Sequence, residues 1–549
     1  MGDRGGVARA SPALHGAIVL AAAGALLLVG FPLAELFGAA GSQGLAAVVA
    51  AFQGTAAARA IATTLGTGGV VTLLGVLGGT AAAFATERGA PRGRSWLRGA
   101  VLLPLVVPPF VAALSWGQAY GPAGLVDDLL GLELPGVYGL GGVVTVLTVH
   151  AVPLVYLVVA AALASRAEPD LERAARSSGA SAATAFRTVT LPLLRPAIVA
   201  GAALAFVTTV NAFGVPAVLG TPAGVTTVTT RIYSDLVFAA DPEAFTRVLV
   251  LASGLVLLTL SVVGVADVRD ALGTGLTRTG APLGSAVPAG SRWPGAVLWS
   301  YALVTSMLPL LALVLVGITR ALGLAPVPAN WTLGHFRAAL GGLGGPALAR
   351  SVLLAIAAAT TVLLLGGLLT ALRRQRGGKP LATMATLTFA VPGSALAVAV
   401  LLAYGPWLRD TLALILIAYL AKFWALGHRT IAGAAGRQPP ELAWAARASG
   451  AGPATTLRTV TIPLLLPALA GAWLVVFLFG LHEVTMSSLL YGPGSETLAV
   501  VILNLRQLGD VPVTAALAVL LTGMVLLGTA LLSAASRTSR RLTTRRDGG

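Results

Sequence analysis

Twelve stretches of this chain are long, apolar and almost free of charge, and such runs fold into little other than helices that cross a lipid bilayer. They lie near residues 13–35, 60–86, 97–119, 138–164, 193–219 and 247–267, then 295–319, 349–372, 381–404, 410–428, 464–489 and 512–535. A helical crossing needs about 20 apolar residues, and each run supplies about that. In hydrocarbon every backbone N–H and C=O must be satisfied internally, which leaves helices or closed barrels. Barrel strands would alternate polar and apolar residues over about ten positions, and no such alternation is present. The expected class is an all-α polytopic membrane protein with about twelve transmembrane helices.

The chain has a formal net charge of +16, and its 36 basic residues include only two lysines, Lys379 and Lys422. In a soluble protein that excess would suggest nucleic acid. Here the placement of the charges gives another reason. With the N-terminus in the cytoplasm, 27 of the 36 basic residues fall in cytoplasmic segments, eight fall outside or at outer span ends, and Lys422 sits within a span. Cytoplasmic loops attract arginine and lysine, so both termini are expected on the cytoplasmic side, and no nucleic-acid partner is needed to explain the charge.

Residues 268–294 are rich in Gly, Pro, Ser and Thr and read as a cytoplasmic linker. They divide the chain into a first six-span half, 1–267, and a second, 295–549. Six is even, so both halves enter the membrane from the same side and the repeat is parallel. The strongest sign of duplication lies between the fourth and fifth span of each half. "AARSSGASAATAFRTVTLPLLRPA" (174–197) aligns without gaps to "AARASGAGPATTLRTVTIPLLLPA" (445–468), 271 residues later, with 17 of 24 positions identical. In each copy the pattern predicts helix, glycine, helix. Pro169 and Pro440 suit a helix start, with Asp170 and Glu441 near its positive end. Gly179 and Gly450 suit a left-handed helix terminus. Ser181 suits the cap of a second helix, residues 182–189, and Pro192 and Pro463 the turn into the next span.

This stretch resembles the EAA motif of permease subunits of ATP-binding-cassette (ABC) importers: Glu-Ala-Ala, three residues, Gly, nine residues, a branched apolar residue, one residue, Leu-Pro. Ala174, Ala175, Gly179, Val189, Leu191 and Pro192 fit, as do Ala445, Ala446, Gly450, Val460 and Pro463, with Ile462 in place of Leu. Ala180 and Ala451 follow the glycines. The place of the motif's Glu holds Arg173 and Trp444, and the nearest acids are Glu172 and Glu441. "NAFGVPAVLG" (211–220) and "LHEVTMSSLLYGPGSETLAV" (481–500) are similar to the stretches that follow the motif.

The resemblance implies a type I ABC importer permease fold of two parallel six-helix repeats, in the cell inner or plasma membrane. It implies that the repeated loops are coupling helices, each seated in a cleft of an ABC ATP-binding subunit, so two copies of that subunit are expected, together with an extracytoplasmic solute-binding protein. A fused pair of halves looks like the iron(III) permease group, which makes iron(III) the first choice of solute, with thiamine, polyamine and aminoethylphosphonate as alternatives.

The residues themselves exclude much else. A phosphate loop needs G-x-x-x-x-G-K-[ST], but Lys379 precedes Pro380 and Lys422 precedes Phe423. Thus no cofactor is expected on this chain, and ATP with magnesium belongs on the partner. Cysteine is absent, and the five histidines are scattered, so no metal or catalytic site is expected. Polar residues in spans mark pathways or helix contacts. Asn211, His482 and Glu483 are the pathway candidates, Asn211 and His482 being related by the same offset of 271. Lys422 would be explained by snorkelling and His150 by packing. Pro108, Pro109 and Pro392 should kink the third span of each half. A twelve-span secondary transporter is the competing reading, with "ATERGAPRGRSW" (85–96) as its one supporting loop, but it offers no reason to duplicate a helix–glycine–helix segment.

Overall fold

The structure is a computed structural model. It describes residues 12–546 except 45–48, 51–54, 89–92, 133, 166–168, 242, 274–292, 373–380, 383, 385–387, 389 and 437. Among the described residues all regular structure is helical apart from one isolated bridge, Thr319 to Trp331. Among the described residues ten helices are long and apolar enough to span a membrane: Ile18–Ser42, Thr55–Glu87, Leu140–Ala164, Ala182–Val210, Glu243–Val265, Pro294–Ile318, Gly344–Leu372, Leu412–Gly436, Ala454–Leu481 and Val511–Leu531. These are the expected spans one, two, four to eight and ten to twelve. The sixth-span helix runs on to Gly273, residues 274–292 of the expected linker lie outside the described residues, and its last two residues, Trp293 and Pro294, open the next helix.

The third span of each half departs from a single kinked helix. In the first half it breaks into Arg94–Val106 and Pro109–Leu130, bent by 97°, which brings the candidate spans to eleven at most. The cause is local. A residue before proline is driven out of the helical region, and two prolines in series do this twice: Val107 has ψ 124° and Pro108 ψ 133°. In the second half Pro392 is likewise extended, with ψ 137°, and only the shorter helix Gly393–Leu408 follows it.

Prolines shape the other spans differently. Phe31, Leu191, Leu308 and Ile462 each precede a proline, and each donates its N–H to the carbonyl five residues back, at Leu26, Phe186, Leu303 and Leu457. Widening one turn in this way makes room for a ring that would strike the preceding turn. It also frees carbonyls, and these find donors. In spans one and seven the donors are aromatic side chains from a third span. Tyr404 Oη donates to Leu27 O at 2.6 Å, Tyr120 Oη to Val304 O at 2.5 Å and Trp116 Nε1 to Thr305 O at 3.0 Å.

Packing groups the chain into two compact units that interleave along the sequence. One contains residues 1–42, 347–497 and 527–549, the other 43–346 and 498–526. In the first unit Trp424 is fully buried with Ala25, Leu369 and Ala382, and Phe31 meets Tyr404 edge-on at 5.8 Å. In the second unit the second and fourth spans approach until a Cβ on Gly79 would lie 2.6 Å from Val152 O. Such close approach through small residues is how helices associate without a hydrophobic driving force.

Candidate functional site

The two repeated loops fold alike, residue for residue. Their first helices are Pro169–Ser177 and Pro440–Ala448. Each ends in the same pair of reversed bonds. Gly179 N–H donates to Arg176 O and Ala180 N–H to Ala175 O, both at 3.0 Å; Gly450 donates to Arg447 and Ala451 to Ala446, also at 3.0 Å. Ser178 and Ser449 close the turn onto Ala174 O and Ala445 O. Gly179 and Gly450 take φ +89° and +84°, and a Cβ on either would meet nothing within 4 Å. The backbone conformation alone therefore demands glycine, and both turns present an open surface. Ser181 Oγ accepts from Thr184 N–H and caps Ala182–Ala185, and Pro453–Thr456 is its counterpart. The second helix is shorter than expected because the widened turns Phe186–Thr190 and Leu457–Thr461 carry the chain past Pro192 and Pro463 into the fifth and eleventh spans. Leu171, Leu442, Trp444 and Leu457 are exposed on these loops, Trp444 at 62%, as suits surfaces met by a partner.

The copies differ most in the partners of their acidic residue. Glu172, one residue before the place of the motif's Glu, accepts from Arg88 Nη1 at 2.6 and 2.7 Å and from Thr190 Oγ1 at 2.5 Å. Burial pushes its carboxyl up, but the bonds from Arg88 and Thr190 outweigh that and hold it below its ordinary value. The next residue along from Arg88 continues the chain of ties: Glu87 is paired with Arg94 and with Arg98 at 2.6 Å, and Thr86 Oγ1 reaches Tyr156 Oη at 3.3 Å. Residues 86–88 thus join the first loop to the second, third and fourth spans. Among the described residues Glu441 makes no ion pair. Arg88 was legible only as one more cytoplasmic positive charge; nothing in the sequence paired it with Glu172 across 84 positions.

A second paired feature lies inside the membrane. Where the third span breaks, the carbonyl before the proline loses its helical donor. In the first half His150 Nε2 lies 3.4 Å from Val107 O, with Nδ1 2.9 Å from Val146 O. In the second half Lys422 Nζ donates to Val391 O. His150 and Lys422 are each the eleventh residue of their helices, Leu140–Ser165 and Leu412–Gly436. Lys422 is therefore turned onto a broken backbone rather than toward a headgroup, and His150 is a packing residue with a defined partner.

The fifth and eleventh spans end earlier than expected, at Val210 and Leu481, so Asn211 and His482 are the residues that close them. Asn211 Oδ1 and His482 Nδ1 are buried with no hydrogen-bond partner among the described residues, an arrangement hydrocarbon disfavours unless something else comes to meet it. Glu483 is turned back into its own chain, its carboxylate accepting from Met486 N–H at 2.9 Å, Ser487 N–H at 3.0 Å and Ser487 Oγ at 3.1 Å. Asn211 lies in one compact unit and His482 and Glu483 in the other. Among the described residues no group of three His, Asp or Glu could hold a metal ion.

Residues 72–270 and 363–543 each match the family described as binding-protein-dependent transport system inner membrane component. The molybdenum transport system permease protein ModB of Mycobacterium tuberculosis is 37% identical over 194 residues, 34% of this chain and 72% of that protein. The putative 2-aminoethylphosphonate transport system permease protein PhnV of Salmonella typhimurium is 28% identical over 261 residues, 46% of this chain and 97% of its own length. The ferric transport system permease protein FbpB of Actinobacillus pleuropneumoniae is 25% identical over 476 residues, 82% of this chain and 67% of that protein.

Proposed function

Because the chain belongs to the binding-protein-dependent transport system inner membrane component family, we propose that it is the fused permease of an ATP-driven importer, worked through its two repeated loops. It is a multi-pass membrane transport subunit of the ABC importer class, and its family implies ATP-binding and solute-binding partners. In the finer reading each loop is gripped by one of two ATP-binding subunits, which hold ATP and magnesium, and both termini lie in the cytoplasm. The observation that carries this reading is that a 24-residue segment recurs in sequence, and its exposed glycine turn recurs in backbone geometry, once at the entry to the fifth span of each half.

The geometry supplies a lever. Each loop runs without interruption into a helix of 20 residues, Leu191–Val210 or Ile462–Leu481, about 30 Å at 1.5 Å per residue. Movement imposed on the loop arrives at Asn211 or His482, the polar residues closing the far end. Closure of the ATP-binding subunits opens an outward-facing path that takes solute from the binding protein, and hydrolysis reverses it. Such coupling requires that the membrane conformations bind the two states of the ATPase with different affinity.

Iron(III) is the proposed solute. The ferric relative is the one of the three reported whose similarity extends over both halves, which supports this choice. The higher identity to the molybdenum permease over 194 residues favours an oxyanion as the second reading. The test is uptake into proteoliposomes holding this chain, its ATP-binding subunit and its binding protein. ATP-dependent uptake of radioactive iron, with no uptake of molybdate or aminoethylphosphonate, is expected. Uptake that persists with the ATPase inactivated, driven by a proton gradient, would sink the importer reading itself. Replacing Gly179 or Gly450 by tryptophan should leave ATP hydrolysis running while uptake falls.

A further inference from the structure

The segment between the seventh and eighth spans folds back on the end of the helix it leaves. Thr332 N–H donates to Ile318 O at 2.6 Å, Arg320 N–H to Asn330 O at 3.0 Å, and His335 Nε2 lies 3.0 Å from Thr319 O. The last carbonyls of a helix have no partner within it, and here the returning chain supplies donors. The same bonds set depth: they hold the start of the helix Gly334–Gly341 level with the last turn of a membrane span. The chain then enters the eighth span at Gly344.

Around this short helix the residues sort by direction. Ala339 is buried against the protein. Next to it runs a stripe of Leu333, Phe336, Leu340 and Leu343, spaced by three, four and three, with Leu333 62%, Leu340 42% and Leu343 66% exposed. Arg337 borders the stripe on its other side, followed by Ala338, both exposed. Trp331, just before the helix, is 45% exposed and anchors its indole N–H on Pro326 O at 3.2 Å. Amphipathic helices with an aromatic and a basic residue beside an apolar face lie in the plane of the membrane interface.

We propose that residues 331–343 form an interfacial anchor whose apolar stripe is covered by lipid. The occupant follows from continuity: the helix is fastened at the end of the seventh span, where Leu311 and Val314 are exposed, so its stripe meets the surface that span presents to lipid. Arg337 then reaches the phosphate layer, and Trp331 sits at the headgroup boundary.

The absence of cysteine from the chain allows a direct test on the full-length protein in phosphatidylcholine–phosphatidylglycerol liposomes. Single cysteines replacing Leu333, Ala338, Leu340 and Leu343 are spin-labelled, and collisions with oxygen and with a water-soluble nickel chelate are compared. Leu364→Cys, on an exposed position of the eighth span, reports correct insertion. Labels at 333, 340 and 343 should favour oxygen over the chelate at least fivefold more than the label at 338. Chelate-accessible labels at 340 and 343 would overturn the proposal. So would labels shielded from both reagents, or a stripe that becomes shielded only when the solute-binding protein is added.

Discussion

Removing the charge of Glu172 should loosen the first loop and leave the second untouched. Three hydrogen bonds from Arg88 and Thr190 end on this carboxylate, and the side chains of Arg88 and Glu172 are 16% and 18% exposed. Exposed ion pairs contribute about 0.2–1 kcal/mol, and removing one partner of a fully buried pair costs about 3–5 kcal/mol. A pair about one-fifth exposed falls between, and we expect about 1–2 kcal/mol of coupling between positions 88 and 172. At RT of about 0.59 kcal/mol this is roughly a 5- to 30-fold change in the equilibrium for local opening. The assay is hydrogen exchange of the full chain in lipid nanodiscs at pH 7. Glu172→Gln should accelerate exchange across 174–180 by that factor, Arg88→Gln should do the same, and the double variant should be little faster than either. Peptides covering 445–451 serve as the internal control. Unchanged exchange in 174–180, or equal acceleration in both loops, would refute the latch. The pH dependence has a definite sign. A carboxyl held below its ordinary 4.5 in the fold contributes stability that is present above that value and is lost as pH falls through the lowered one. The latch should therefore be at full strength from neutral pH down to about pH 5.5 and fail only in stronger acid.

Gly179→Ala and Gly450→Ala should each destabilise their own turn by about 1–2 kcal/mol, the strain of a left-handed backbone, and exchange across 174–180 or 445–451 reads this directly. Tyr404→Phe and Tyr120→Phe each strand a carbonyl in a widened turn, so each should lower unfolding stability in mixed micelles by about 0.6–1.7 kcal/mol. Lys422→Met should cost about 1–3 kcal/mol through the carbonyl of Val391 it leaves unserved, with Lys422→Arg recovering most of it in a thermal unfolding assay. His150→Ala should cost about 2–5 kcal/mol, because it opens a cavity at a buried packing residue and also removes the bonds to Val146 O at 2.9 Å and Val107 O at 3.4 Å.

What the sequence made legible was what repeats and what is local. The apolar runs define ten of the twelve expected spans, because length and hydropathy suffice for a helix in lipid. The first helix and the glycine turn of both loops fold as their Pro and Gly spacing demands, since caps and turns act over a few residues. The third spans were harder to read. Pro108, Pro109 and Pro392 pointed to kinks, but the size of a bend depends on what receives the freed carbonyl, and His150 and Lys422 lie 43 and 31 positions away from the carbonyls they serve. The apolar pattern of spans five and eleven runs nine and eight residues past the ends of their helices at Val210 and Leu481, because hydropathy does not sense where a helix stops. Arg88 and Glu172 could not be paired in advance, because the charge bias that places arginines at the cytoplasmic face acts on all of them alike.

The interleaving of the two compact units sets a timetable for synthesis. The first span belongs with residues 347–497, so it emerges long before most of its neighbours exist. Ribosomes add about 5–20 residues per second, and at least 300 residues separate Ser42 from the start of that partner segment, so the wait is roughly 15–60 s. During it the widened turn at Leu26–Gly30 holds Leu27 O in lipid without Tyr404. A helix that must idle in this way gains from being apolar along nearly its whole length, and its neighbours Trp424 and Tyr404 arrive as the last step of its burial rather than the first.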